Sequence, residues 1–553
     1  MASQSVVEKT RTTISSVSKD EYGSGDSASA ENGFWGKLRA VEGNDVKRGM
    51  QSRHLMMIAI GGTIGTGIFL SAGSAVSLAG PGSALLSYFV VGLFVYTVVI
   101  TLGEMSSMYP VSGAFSIFGA RFVSPALGFT LGWNYWLQCE LTAAAVILQF
   151  WTDRLQPWHW AIIIIVPVFA LQLIHVRVYG ESEYWFAMVK VLMIVLFIIV
   201  GLIFDWGGVK GHPGPGLSNF HNGQAFIGGF ASFAQTFVFA FFSFGGIELV
   251  AVAAGESAKP YKAVPRAIKA TFFRIILFYI LTILTIGLCI NNSDPTLLSA
   301  AFDSDVTASP VTVVFVRAGF GAAAHVVNAV LLTAVLSATN SCFYASSRML
   351  LSLARSGHAP RVFGWVNSRG VPVLPCCKLS LAFSCLTFLT TIWGEGIASP
   401  LLVWTSIGLI SLCFRQAYKA HGLLLSDLPY RQPFYPVLPI GVITLGTLMF
   451  IAQGYAAVRQ EPFEARNVVA TYIGVALYII LYSGYTLYEK FILKQKYHFV
   501  PTAGIDFVTD AVWSPGEGAM IREQDLRRRK EKVLSESQPG LARGKAWIKR
   551  HIY

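Results

Sequence analysis

The stretch Ile60-Gly61-Gly62-Thr63-Ile64-Gly65-Thr66-Gly67-Ile68-Phe69 sets four glycines within seven positions of an apolar run. A helix in lipid keeps its backbone groups bonded to itself, because each unpaired group costs several kcal/mol. Small residues four apart, such as Gly61 and Gly65, serve close helix packing. Four glycines around Thr63 and Thr66 exceed that need and predict an unwound segment facing a polar cavity. A second apolar run, Phe241-Phe242-Ser243-Phe244-Gly245-Gly246-Ile247-Glu248, also breaks at glycines and carries a carboxyl at membrane depth. Paired broken spans point to a transporter binding site between inverted repeats. A half-helix N-terminus offers free N–H groups to a carboxylate, and the opposing half ends in C=O groups that suit an ammonium. An α-amino acid presents both groups on one carbon. Two such breaks would hold what all amino acids share and leave the side chain to a separate pocket.

Ionisable residues inside spans are costly and mark function by default; here they are Glu104, Glu140, Lys190, Glu248 and Glu256. Lys190 sits two turns into its run, where a lysine suits a proton carrier; the alternative is snorkelling to the interface. Glu256 precedes Lys259-Pro260, which leaves it either a partner for loop bases or part of a gate. The seven cysteines show no metal-ligand spacing, and no nucleophile–base pair sits at matching depth. Neither an enzyme nor a bound metal or cofactor is expected.

These residues need elements to hold them. The chain is 54% hydrophobic and 13% charged, against the ~25% charged of soluble domains. Runs of about 20 apolar residues read as spans. The expected fold is an all-α polytopic membrane protein with twelve spans, near 55–78, 83–108, 126–151, 160–176, 184–204, 225–254, 272–290, 321–353, 373–393, 399–414, 434–458 and 467–489. One set of alternate loops holds Arg121, Arg177, Lys259, Lys262, Arg266, Arg274, Arg348, Arg361 and Arg415, among others. The opposite set holds only Arg154, Lys210, Arg317, Arg459 and Arg466. The positive-inside rule then makes both termini cytoplasmic. Residues 1–50 read as a disordered tail, 51–492 as the transporter domain and 493–553 as a solvated cytoplasmic tail. The net charge of +12 belongs to those loops and tails, facing anionic lipid heads rather than nucleic acid.

Six stretches, in order, carry a resemblance. They are KRGMQSRHLMMIAIGGTIGTGIF from Lys47, LGEMSSMYPVSGAFSIFGARFVSPALGFTLGWNYW from Leu102, VRVYGESEYWFAMVKV from Val176, FSFGGIELVAVAAGESAKPYKAVPRAIK from Phe242, VLSATNSCFYASSRMLLSLARSGHAP from Val335 and DLPYRQPFYP from Asp427. The chain resembles fungal amino-acid permeases of the amino acid–polyamine–organocation superfamily from about Lys47 to Lys490. The resemblance implies twelve spans: two inverted five-helix repeats with broken first and sixth helices, plus two extra helices. It implies amino-acid uptake with a proton at the plasma membrane by alternating access. The substrate site would fall on Thr63, Gly65, Thr66, Gly67, Phe242, Ser243, Phe244, Gly245 and Glu140, and proton coupling on Lys190 and Glu248. The Lys190 amine would reach carbonyls of the broken first span near Gly61 to Thr63, and hydroxyls among Ser337, Thr339 and Ser341.

Two stretches depart from the family pattern. Glu140 follows Trp136 unusually soon. The tenth run counts sixteen residues from Ser399 to Phe414 before Arg415, short of the ~20 that cross a bilayer. Either that span is strained or partly unwound, or residues are missing at an exon edge. The alternatives to a proton symporter are an uncoupled amino-acid or polyamine exchanger and an amino-acid-sensing receptor. The cytoplasmic tails are where trafficking or ubiquitination machinery would bind.

Overall fold

The computed structural model describes residues 46–536 apart from 63, 66, 137–166, 210, 212, 296, 298–308, 368, 373–397, 460–464, 495–497 and 515. The described elements are helices, and the one β-bridge, Met50 to Ser257, is isolated. Seven helices among the described residues are long and apolar enough to cross a membrane. The expected ninth span, most of the third and part of the fourth lie outside the described residues.

The first span is split. Helix α1, Ser52–Met57, runs into a π-turn at Ile58–Gly62, and α2 starts again at Gly67–Ala79. Pro81 then opens α3, Pro81–Met108, where its missing N–H costs nothing. Short α4 (Ala114–Phe122) and α5 (Pro125–Trp136) lead to α6, Val176–Asp205. The sixth span is also split, into α7 (Gly229–Phe244) and α8 (Leu249–Ala254). Next come α9 (Pro260–Arg274), a π-turn at Ile275–Ile280, α10 (Leu281–Cys289), α11 (Pro310–Arg317) and α12 (Ala323–Arg355). The chain closes with α13 (Ala398–Ala420), α14 (Val437–Arg459), α15 (Ala465–Phe491) and α16 (Gly518–Glu536). Helix α7 packs on α2, α6 packs on both the first-span π-turn and α12, and α13 packs on α14.

Three arginines assigned to loops lie inside the bundle: Arg274, Arg348 and Arg415 are all at most 2% exposed. Arg348 donates from Nε to Glu256 Oε1 at 2.8 Å, which gives Glu256 a buried partner on α12 rather than a loop base. Arg415 does not end the tenth span. Helix α13 is 23 residues long and runs straight through it, so the span reaches across a bilayer without added residues. The charge is tolerated because Glu104 of α3 takes it: Nε lies 2.9 Å from Oε2, and Nη2 also bonds Oε1. The backbone N–H of Gln432 donates to the same carboxylate at 3.1 Å, and the Tyr435 ring lies against the guanidinium.

The C-terminal tail corrects a second expectation, for residues 498–514 and 516–525 lie on the helical bundle. Ile505, Phe507 and Trp513 supply apolar surface to bury. Val500 N donates to Val123 O at 2.9 Å, Tyr109 Oη to Phe507 O at 3.1 Å, and Val512 N to Met108 O at 2.9 Å. Trp513 Nε1 reaches Asp427 O at 2.9 Å, and Lys262 pairs with Asp525 at 2.6 Å. The tail therefore ties together three separate connections at the basic end of the bundle. The run Arg527-Arg528 beyond it is exposed.

Removing one partner of a buried pair strands the other charge, at a cost of about 3–5 kcal/mol. Glu104→Gln or Arg415→Met alone should lower the unfolding temperature of the detergent-purified protein. Replacing both by apolar residues should restore most of it, and an unchanged midpoint in the single variants would refute the pair's role in stability.

Candidate substrate and proton site

The first break is shaped by close approach. A Cβ at Gly61 would lie 2.6 Å from the Ala187 Cβ of α6, so only glycine allows these helices to touch. Lys190 stands one turn beyond Ala187 on the same face, and that contact delivers its amine to the break. Nζ donates to the carbonyl oxygen of Ile64 at 2.9 Å and to Ser337 Oγ of α12 at 2.9 Å. The lysine is fully buried and does not snorkel. Arg274 performs the same service one turn earlier, with Nη1 3.1 Å from Ala59 O. Two cationic side chains thus bind carbonyls of the first span, one just before the unwound segment and one within it. Thr63, Thr66 and Glu140 lie outside the described residues.

The second break lies against the first. A Cβ on Gly67 would sit 2.6 Å from Ser243 Cα, which is why α2 and α7 meet there. Gly246 takes a φ of +83°, open to glycine, and lets α7 end and α8 begin. Ser243 turns its hydroxyl into the protein, to Phe239 O at 2.9 Å and Tyr88 Oη at 2.8 Å. Phe244 is core, its ring stacked on Tyr279 at 4.1 Å, while Phe242 is half-buried. The glycines divide by role. Gly61 and Gly67 make contacts, but a Cβ on Gly65 would meet nothing within 4 Å, and one on Gly245 only Phe242 O at 3.5 Å. Open space therefore adjoins both breaks, beside Gly65 and Gly245.

Glu248 is buried just before α8. Tyr135 Oη of α5 donates to Oε1 at 2.9 Å, and Trp404 Nε1 of α13 donates to Oε2 at 2.9 Å. The carboxyl thus joins the sixth span to the third and tenth through neutral donors. Neither donor was anticipated from the sequence.

Glu183 was also missed, though its signal was present. It lies seven residues before Lys190, two helical turns along the same face of α6. Ser337 Oγ donates to its Oε2 at 2.7 Å and Asn340 Nδ2 to its Oε1 at 2.8 Å. Gln172 Nε2 in turn holds Asn340 Oδ1 at 2.7 Å. Lys190, Ser337 and Glu183 form one buried chain. Among the described residues, no group of three or more His, Cys, Asp or Glu could hold a metal ion.

A family model described as amino acid permease matches residues 54–498. The chain belongs to the amino acid permease family. It is similar to the lysine-specific permease LysP of Escherichia coli, 41% identical over 82% of this chain and 95% of that protein. It is 40% identical to the histidine permease HisP of Lactococcus lactis, over 84% of this chain and 98% of the relative. A lysine-specific permease of Saccharomyces cerevisiae is 35% identical, over 81% and 77% respectively. The family is therefore shared with bacteria, beyond the fungal branch that the motifs suggested. This permease is a multi-pass membrane transporter of amino acids, not an enzyme.

The two kinds of glycine separate in their predicted effects. Gly65→Ala fills open space where a substrate would lie, and should raise the KM for uptake by about 10–200-fold with stability kept. Gly67→Ala overpacks Ser243 and should cost about 1–3 kcal/mol of stability. Thermal unfolding and uptake kinetics on both variants distinguish the effects; identical behaviour of the two would contradict the assignment.

Proposed function

We propose that this permease carries basic amino acids across the plasma membrane together with a proton, by alternating access. The single observation that carries the reading is the Lys190 amine, which bridges the break at Ile64 to Ser337 on α12 at 2.9 Å each. A protonated amine would hold the first span, α6 and α12 together in one state. Loss of its proton would release them. Substrate would bind between the breaks, with its carboxylate at the N-terminus of α2 beside Gly65 and Gly67. Thr63, Thr66, Phe242 and Gly245 complete the proposed backbone site, and Glu140 is proposed in substrate handling.

Glu248 is proposed to couple the substrate to movement of the sixth span, through its bonds to Tyr135 and Trp404. Support for basic substrates comes from the relatives, whose names specify lysine and histidine, and S-adenosylmethionine for a Candida albicans permease. All three carry a basic or cationic group beyond the α-carbon. The proposed architecture is twelve spans in two inverted five-helix repeats plus two helices, with both termini cytoplasmic. The basic loops support that orientation.

The test is an uptake screen over amino acids in cells lacking their own permeases, at acid and neutral pH. Lysine, histidine or arginine should enter well above background and faster at acid pH. Glu248→Gln should cut uptake by about tenfold or more. Uptake indifferent to pH would favour an uncoupled exchanger, and binding without flux a receptor.

A further inference from the structure

We propose that Glu183 is the internal acceptor of the proton that Lys190 carries, with the Ser337 hydroxyl as the single relay between them. The inference rests on the proton-coupled reading above and adds the next group on the proton's path.

The geometry is that of a complete donor chain. Lys190 Nζ donates to Ser337 Oγ at 2.9 Å, and Ser337 Oγ donates to Glu183 Oε2 at 2.7 Å. All three side chains are fully buried. A hydroxyl donates one proton and accepts others, so this one can receive and release in the same event. The N–H bond of the ammonium breaks as its proton moves to Oγ, and the O–H proton of Ser337 passes to Oε2. The products are a neutral amine, an unchanged serine and a neutral carboxylic acid. Atoms and charge balance with no further reactant, and two buried charges are removed together. The neutral amine then binds the Ile64 carbonyl less strongly, which loosens the first span.

The carboxyl is built to receive. Asn340, one turn from Ser337 on α12, holds Oε1, and Gln172 holds Asn340. Oε2 is thereby kept pointing at the relay. The charged groups that face the amine are Glu183 and Arg274. Arg274 of α9 places a second cation near the amine. Tyr179 on α6 lies near Glu183, and Arg348, Tyr344 and Glu256 stand farther along the same interface. Direction follows from position. Glu183 lies two turns nearer than Lys190 to the start of α6, the end flanked by the basic loops. A proton moved from lysine to glutamate has thus moved toward the proposed cytoplasmic side.

A static counter-charge would also place Glu183 near Lys190, and the serine separates the two roles. The experiment uses the full-length protein in liposomes, with lysine as substrate under an inward proton gradient and lysine–lysine exchange measured in parallel. The relay predicts that Glu183→Gln and Ser337→Ala each lose about tenfold or more of net gradient-driven uptake. Exchange should fall much less, and Ser337→Thr, which keeps a hydroxyl, should restore net uptake. Wild-type net uptake in Glu183→Gln or Ser337→Ala would overturn the proposal. So would equal loss of exchange and net uptake in both, which is the mark of a structural role. Impairment in Glu183→Gln alone would leave only a counter-charge and also overturn the relay. Absence of gradient-driven uptake in the wild type would instead sink the proton-coupled reading itself.

Discussion

A backbone carbonyl freed inside a membrane helix needs a donor, and the site is organised around meeting that need. The break between Gly62 and Gly67 interrupts the helical ladder at a depth where each orphaned group costs several kcal/mol. Lys190 and Arg274 answer it with side-chain N–H groups on Ile64 O and Ala59 O. Their arrival depends on glycine contacts elsewhere: Gly61 admits Ala187 and so α6, and Gly67 admits Ser243 and so α7. The proposed substrate site and the Lys190 amine come together because one break creates both. The free N–H groups at the start of α2 suit an anion, while the carbonyls behind them suit a cation.

Burying charge is expensive, and several charges buried among the described residues are held in pairs or by fixed acceptors. Glu104–Arg415 ties α3 to α13, Glu256–Arg348 ties the sixth span to α12, and Glu183 stands in reach of Lys190 through Ser337. Such pairs add little net stability over apolar residues of equal volume. They do demand one register between the helices they join, which suits the proposed alternation of parts that hold and release as units. At the basic end, the tail around Phe507 and Trp513 spans connections that belong to different helices. Whatever movement opens that end must part those contacts.

Much of this was legible in the sequence. The glycines at 61–67 and 245–246 announced both breaks, because their density in apolar runs exceeds what close packing needs. A lysine two turns into a span could only be interfacial or bound, and the structure places it on Ile64 O. The arginines were misread because charge alone sent them to loops; a span boundary drawn at Arg415 could not know that Glu104 waited on another helix, 311 residues away. Glu183 fell just outside the fifth span, which was drawn from residue 184, among the polar neighbours Gly180-Glu181-Ser182. Only the facing of α6 against α12 shows that Glu183 turns inward while Glu181 pairs with Arg53. The tail's docking depends on three scattered apolar residues, too few to make a pattern.

The central claim is that the Lys190 amine on the broken first span links substrate movement to proton movement. The most direct measurement follows lysine and internal pH together in liposomes holding the purified permease under an imposed proton gradient. The account predicts that lysine accumulates against its own gradient while the lumen acidifies. In Lys190→Ala both should be lost, although lysine–lysine exchange persists at a reduced rate. Accumulation and acidification at the wild-type level in Lys190→Ala would contradict it.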